Sequence, residues 1–208
     1  TRRSSDLYYT YYTPVSDSVS AVEAQEHSLG RTLLLTGLKE LYHIHYSTDK
    51  LEESLLISPE GKPYLAGLPG IHFNITHCHR LVACAISCRP IGIDGELPGA
   101  FENTLIKKVF SPEEKYFFYQ TATTAELRIQ WFFKFWTLKE AYVKKTGTGI
   151  SIPLTKLTFT FSHIPAPDTI GCPDPETACR QFVLKTGHIL SVCYESDSGD
   201  ETISLNLL

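Results

Sequence analysis

The 208-residue sequence predicts a mixed α/β (α+β) chain, on three observations. Residues 125–145 are rich in Leu, Ala, Lys, Glu and Arg and free of Pro and Gly, which predicts one long helix. Short apolar runs at 71–75, 81–87, 91–97, 157–161, 181–184 and 188–194, bounded by turn residues, read as strands. A polar Pro/Gly stretch at 97–103 reads as a junction dividing the chain into an N-terminal half, 1–99, and a C-terminal half, 100–208. The length suits one large domain or two small ones.

The elements follow in order. Residues 7–13 are Tyr/Thr-rich and suit a first strand ending at Pro14. Leu29, Leu33, Leu34, Leu38 and Leu41 have helical spacing over 27–41, with Arg31 on the polar side. A short strand at 54–58 leads into the turn 59–63, which carries Lys62 at its tip. The strand 71–75 runs into Thr76, His77, Cys78 and His79. The apolar run 81–87 is a buried strand, Cys88-Arg-Pro90 turns the chain, and 91–97 returns as its neighbour. Ser111-Pro-Glu-Glu114 is a capping box with Pro at the first helical position, and both carboxylates read as helix-start chemistry.

Within 125–145, Leu127, Trp131, Phe135, Leu138 and Tyr142 fall on one stripe, the expected core face. The opposite side carries Phe133, Trp136, Glu140, Val143 and Lys144. A solvated face would not carry Phe, Trp and Val, so the helix is expected to be covered on both sides. Glu140 and Lys144, four apart, then point into the second contact region. A half-buried carboxylate there needs a cation or donors, and Lys144 and a metal ion are the two candidates. Gly147 ends the helix in the left-handed C′ position.

The net charge of −4 gives no support for general nucleic-acid binding. No apolar run approaches the ~20 residues a membrane helix needs. The N-terminus lacks the apolar region of a secretory leader. The six Cys (78, 84, 88, 172, 179, 193) read as reduced thiols of a cytoplasmic protein.

Three groups of residues bear chemistry. In Ile91-Gly-Ile-Asp-Gly-Glu96 side chains alternate, so Asp94 and Glu96 share one face while Ile91 and Ile93 turn to the core. Two adjacent carboxylates repel unless a positive charge sits between them. An all-oxygen set suits a hard cation such as Mg²⁺. Alone the pair reads as a solvated strand feature; with Glu140 offered by the helix a three-carboxylate metal site becomes a reasonable expectation. Thr76-His77 at a strand end suits an oxyanion contact or a structural His, and Lys62 is a phosphate contact or an ordinary turn residue. Gly147 and Gly149 follow a helix instead of opening one, so they are a helix stop and not a P-loop.

These pieces in this order resemble the 4′-phosphopantetheinyl transferase family, in its larger, monomeric type that activates enzymes such as surfactin synthetase. The matching stretches are Gly61-Lys-Pro63, His72-Phe-Asn-Ile-Thr-His77, Ile91-Gly-Ile-Asp-Gly-Glu96, Phe110-Ser111 and Trp136-Thr-Leu-Lys-Glu-Ala-Tyr-Val-Lys144 with its Gly-x-Gly tail. The resemblance implies two similar halves in a pseudo-symmetric arrangement, each a small sheet on a long helix, with coenzyme A in the cleft between them. It implies that Asp94, Glu96 and Glu140 hold Mg²⁺, or Mn²⁺, and that Lys144 and Lys139 contact phosphates. Lys62, Thr76 and His77 would bind nucleotide phosphates, and Arg31 would be a further basic contact. Glu140 and Lys144 would be the catalytic pair, Glu140 as base. Phosphopantetheine would pass to a serine of an acyl or peptidyl carrier protein, releasing 3′,5′-ADP. Residues 116–124 are expected to form part of the carrier surface, with at least two of the aromatics in the core.

The chain departs from the family pattern at Thr76 and Cys78, where Ser is usual, and at Gly95, where a larger residue is usual. The departures at Gly95 and Cys78 make a catalytically lapsed coenzyme A or nucleotide-binding module the alternative reading. A zinc or calcium protein is a third.

Overall fold

A computed structural model of the chain describes residues 5–149, 152–162, 169–196 and 203–208. The N-terminal part runs β1 (Ser5–Tyr11), α1 (Val19–Tyr42), α2 (Thr48–Ser54), β2 (Leu55–Ile57), β3 (Pro63–Leu65), β4 (His72–Cys78), β5 (Leu81–Ser87) and β6 (Ile91–Glu96). Then come α3 (Thr104–Val109), α4 (Pro112–Thr121), α5 (Ala125–Thr146), a 3₁₀ turn (Leu154–Lys156), β7 (Thr160–Ser162), β8 (Thr169–Gly171), β9 (Thr177–Val183), β10 (Ile189–Glu195) and β11 (Ile203–Leu207). No helix among the described residues is long and apolar enough to cross a membrane.

Two sheets matter for the site. The first has the order β11-β1-β5-β4, with β11 parallel to β1 and the other pairs antiparallel. The second is antiparallel, in the order β6-β10-β9. Strand alternation gives each sheet two faces. Leu7, Leu81, Ala83 and Ala85 of the first sheet pack on Ile91, Ile93, Leu190 and Val192 of the second. The opposite face of the first sheet, with Tyr8, Val82 and Ile86, meets Leu33, Leu34 and Leu38 of α1. Helix α5 lies on the outer face of the second sheet, with Phe135, Leu138 and Tyr142 in its core. The layer order is therefore helix, sheet, sheet, helix.

The double cover expected for α5 is present. Leu138 and Ala141 are fully buried, and Phe101 stacks on Phe132 at 3.9 Å from the second side. Leu127 departs from the predicted core stripe; it sits in the first turn of α5 and is 37% exposed. Gly147 takes the left-handed conformation (φ 69°) as helix stop. The capping box at Ser111 forms in both directions.

Three expectations are corrected. β6 does not pair with β5: the turn at 88–90 carries it across to β10, so the two strands belong to different sheets. β11 was not anticipated as a strand; it supplies an edge to β1 from the far end of the chain. Consequently β6 from before residue 99 lies in the second sheet, and β11 from after it lies in the first. The thiols are not all free: Cys179 and Cys193 face each other directly across β9 and β10, with Cα atoms 4.3 Å apart, and form a disulfide. Cys78, Cys84, Cys88 and Cys172 are free. Residues 150–151, 163–168 and 197–202 lie outside the described residues.

Candidate active site

Gly92 sets the geometry. A Cβ there would collide with the backbone of α5 at Ala141 and Lys145. Only a residue without a side chain lets the helix lie directly on β6. That approach brings Glu140 and Lys144, one turn apart on α5, over the face of β6 that carries Asp94 and Glu96.

Asp94 is 5% exposed, and its Oδ1 accepts a hydrogen bond from Lys144 Nζ at 2.6 Å. Its Oδ2 is buried with no hydrogen-bond partner among the described residues. Burial pushes the Asp94 carboxyl up to about 7; Lys144 opposes the shift, and the charges of Glu96 and Glu140 add to it. Glu96 is also raised, by burial first, while the Trp136 indole N–H and Lys144 hold it down. Asp94 thus senses both Glu96 and Glu140, and Glu96 senses Glu140. Among the described residues, no three His, Cys, Asp or Glu side chains stand in a group able to hold a metal ion as they are placed. Lys144 is the cation against Asp94. The all-oxygen donor set and the orphaned Oδ2 fit a hard divalent cation.

Lys62 is no ordinary turn residue. Its Nζ donates to Ile91 O (3.0 Å) and Lys145 O (2.9 Å), bridging the start of β6 and the last turn of α5. Burial, then the nearby Lys145 charge, lowers its pKa to about 8. Lys62 borders two cavities. The larger, about 670 Å³, is lined by Ser58, Lys62, His72, Lys145 and Thr148 among others. The smaller, about 220 Å³, is lined by Lys62, Asn74, Glu140, Lys144 and Gly147. On the other side of Glu140, a cavity of about 460 Å³ is lined by Leu105, Lys108, Trp136 and Ile152. Glu140 therefore stands between a lysine-lined space and a mainly apolar one.

The remaining predicted residues divide. Thr76 is buried on the face of β4 toward β6, with its methyl 3.4 Å from the Cβ position of Gly95. His77 is on the opposite face and meets α1: its Nδ1 lies 3.0 Å from Glu26 Oε2. Arg31 pairs with Glu52 of α2 at 2.8 Å and does not line the cavities above.

Lys139 is a correction. It is fully buried, and its Nζ is held by Glu114 (2.6 Å), Leu154 O (2.8 Å) and Leu157 O (2.6 Å). It joins α5 to the start of α4 and to the 154–157 segment, with nothing left for a phosphate.

Two residues that the sequence did not mark support the site. Asn74 Oδ1 accepts from Ile93 N at 2.8 Å, tying β4 to β6 where they share no ladder. The Trp136 indole N–H favours the ionised form of Glu96. A polar Asn inside the run 71–75 and a Trp on the far face of the helix were the available signals. The departures at 78 and 95 are also explained. A Cβ on Gly95 would lie 2.5 Å from Leu190 Cδ2 and 3.7 Å from Cys78 Sγ, so Leu190 fills the space a larger residue would take. Burial, then Glu96 and Asp94, keeps the Cys78 thiol neutral by pushing it to about 12.

Lys62 and Lys144 border the space that Glu140 also lines, an arrangement able to receive an anionic phosphate ester. The relatives make the class specific. Residues 90–193 match the model of the 4′-phosphopantetheinyl transferase superfamily. A 4′-phosphopantetheinyl transferase of Bacillus subtilis is 32% identical over 82% of this chain and 74% of its own length. The 4′-phosphopantetheinyl transferase Sfp of Bacillus subtilis (strain 168) is 30% identical over 84% of this chain and 78% of its own. The psf-1 enzyme of Bacillus pumilus is 28% identical over 88% and 77%. This chain belongs to the 4′-phosphopantetheinyl transferase superfamily.

Proposed function

We propose that the chain transfers 4′-phosphopantetheine from coenzyme A to a serine of an acyl or peptidyl carrier protein. The serine Oγ–P bond forms as the P–O bond to the leaving 3′,5′-ADP breaks. Glu140 takes the serine proton, directly or through a water. Lys62 and Lys144 contact the phosphates, with Thr76 and His77 from β4 and Arg31 as a further basic contact. Asp94, Glu96 and Glu140 would hold Mg²⁺, or Mn²⁺, and the ion when bound would supply neutralisation of the pyrophosphate charge. The observation that carries the reading is Asp94, a buried carboxylate with one oxygen on Lys144 and the other unpartnered beside two more acids.

The two halves of the chain, 1–99 and 100–208, meet at this cleft, and the enzyme works as a cytoplasmic monomer without nucleic acid or membrane. Tyr116 (72% exposed) and Tyr119 (58%) on α4 form part of the carrier surface, while Phe118 is core. The test is incubation with coenzyme A, Mg²⁺ and apo carrier proteins, followed by intact mass. A gain of one phosphopantetheine on the carrier serine is expected. No gain with any carrier, while coenzyme A still binds, would leave only the binding-module reading.

A further inference from the structure

Glu26 is an anomaly on α1. Its neighbours Glu23, Ala24, His27 and Ser28 are exposed, yet Glu26 is only 8% exposed. Desolvating a carboxylate costs free energy unless donors replace the lost water. Two do. The Tyr12 hydroxyl donates to Oε1, and His77 Nδ1 stands 3.0 Å from Oε2. Tyr12 is a dependable donor, because burial and the adjoining carboxylate push its hydroxyl up to about 12. The His27 ring, one residue further along α1, lies 6.5 Å from the His77 ring and tilted 43° to it.

A carboxylate oxygen 3.0 Å from Nδ1 favours the tautomer that carries the proton on Nδ1. In that tautomer Nε2 is the nitrogen left for any other partner. In the neutral ring Nε2 has a lone pair and would repel a phosphate oxygen. In the imidazolium it is a donor. We propose that Glu26, braced by Tyr12, is a positioning residue that orients His77 and presents its Nε2–H to a phosphate of coenzyme A. The inference rests on the proposed role of His77 as a nucleotide-phosphate contact and adds to it the group that prepares the ring.

The test compares wild type, Glu26→Ala, Glu26→Gln, Tyr12→Phe, His77→Ala and the Glu26→Ala/His77→Ala double variant, reading KM for coenzyme A, KM for the carrier protein, and kcat. Loss of a hydrogen bond to a charged group predicts about a tenfold rise in coenzyme A KM for Glu26→Ala, with kcat and carrier KM unchanged. Glu26→Gln, whose amide oxygen still accepts from Nδ1, and Tyr12→Phe should fall between this and wild type. In the His77→Ala background, Glu26→Ala should add less than about twofold, because the ring it positions is gone. If the two single effects multiply, Glu26 acts independently of His77 and the proposal fails. It also fails if Glu26→Ala leaves coenzyme A KM unchanged while His77→Ala raises it, and the phosphate role of His77 then survives. An unchanged KM in His77→Ala removes that role and the proposal with it. A merely structural Glu26 would instead move carrier KM and kcat along with coenzyme A KM.

Discussion

Lys139→Ala separates the structure from the family resemblance at one residue. The resemblance gives Lys139 a phosphate to bind; the structure gives it Glu114 and two backbone carbonyls in a fully buried pocket. Burial raises Glu114 and lowers Lys139, and in each case the partner's charge is the main force pushing back. Removing Lys139 therefore leaves an uncompensated buried carboxylate that still accepts from Ser111 N and Phe159 N. Breaking one side of a buried ion pair costs about 3–5 kcal/mol. For a chain of this size a kcal/mol is worth about 2–4 °C, so Tm should fall by roughly 6–20 °C. Thermal unfolding by circular dichroism measures the fall. Assayed well below the new Tm, the folded enzyme should keep its coenzyme A KM within about twofold. A variant with unchanged Tm and a tenfold higher coenzyme A KM would refute the argument and return Lys139 to the phosphates.

Four further outcomes are expected. Asp94 is raised to about 7 in the folded chain, so the stability it contributes is complete below its unfolded value of 3.8 and is lost as pH rises through about 7. Metal-free Tm should therefore drop from pH 5 to pH 8, Asp94→Asn should flatten the drop and abolish turnover, and Mg²⁺ should raise Tm at pH 8 only in the wild type; the same Mg²⁺ response in Asp94→Asn would exclude Asp94 as a ligand. Lys62, lowered to about 8, loses its charge as pH rises through that value, so kcat/KM for coenzyme A should decline above pH 8, and Lys62→Arg should carry the plateau to higher pH. An identical decline in the Arg variant would assign it to another group. Gly92→Ala must push α5 away from β6, at about 1–3 kcal/mol by urea unfolding, and should lower kcat more than either KM; an unchanged kcat would mean the spacing is not critical. Replacing the exposed Tyr116 and Tyr119 by Ala should raise carrier KM severalfold without changing stability, and unchanged carrier KM would place docking elsewhere.

What the sequence made legible was local. The capping box at Ser111, the helix stop at Gly147 and the two covered faces of α5 depend on neighbours within a turn or on one helical period. Even the burial of Lys139 was readable in that period. Lys139 and Lys144 are five residues apart, or about 140° around the helix, so they cannot serve the same face. Lys139 follows Phe135 by four and belongs to the core stripe, whereas Lys144 follows Glu140 by four and belongs to the site. The partner of β6 was not readable. Adjacency of 81–87 and 91–97 suggested a hairpin, and only the packing of two sheets face to face decides that the chain crosses over. The disulfide and the Glu26–His77 contact fail for the same reason, since each depends on register between segments that no local pattern relates.

The site gathers like charges on both of its sides, and the frame must hold them there. Asp94, Glu96 and Glu140 repel one another, and burial first and then Lys145 lower Lys62, so neither group is at its own optimum. The anchors lie elsewhere along α5. Thr137 meets Ser191 of β10 at 2.7 Å, and Gln181 of β9 closes that buried contact at 2.8 Å. Lys139 fastens the helix to Glu114, and Lys145 Nζ donates to Thr177 at 2.6 Å. Three polar contacts on the structural faces thus fix the helix whose remaining face carries Glu140 and Lys144. On the proposed function, a pyrophosphate would relieve the lysines and a divalent cation the carboxylates, so the two ligands should bind with positive coupling. An α5 free to shift would relax the repulsion by moving apart; one pinned at Gly92, Thr137, Lys139 and Lys145 keeps it available to ligand binding.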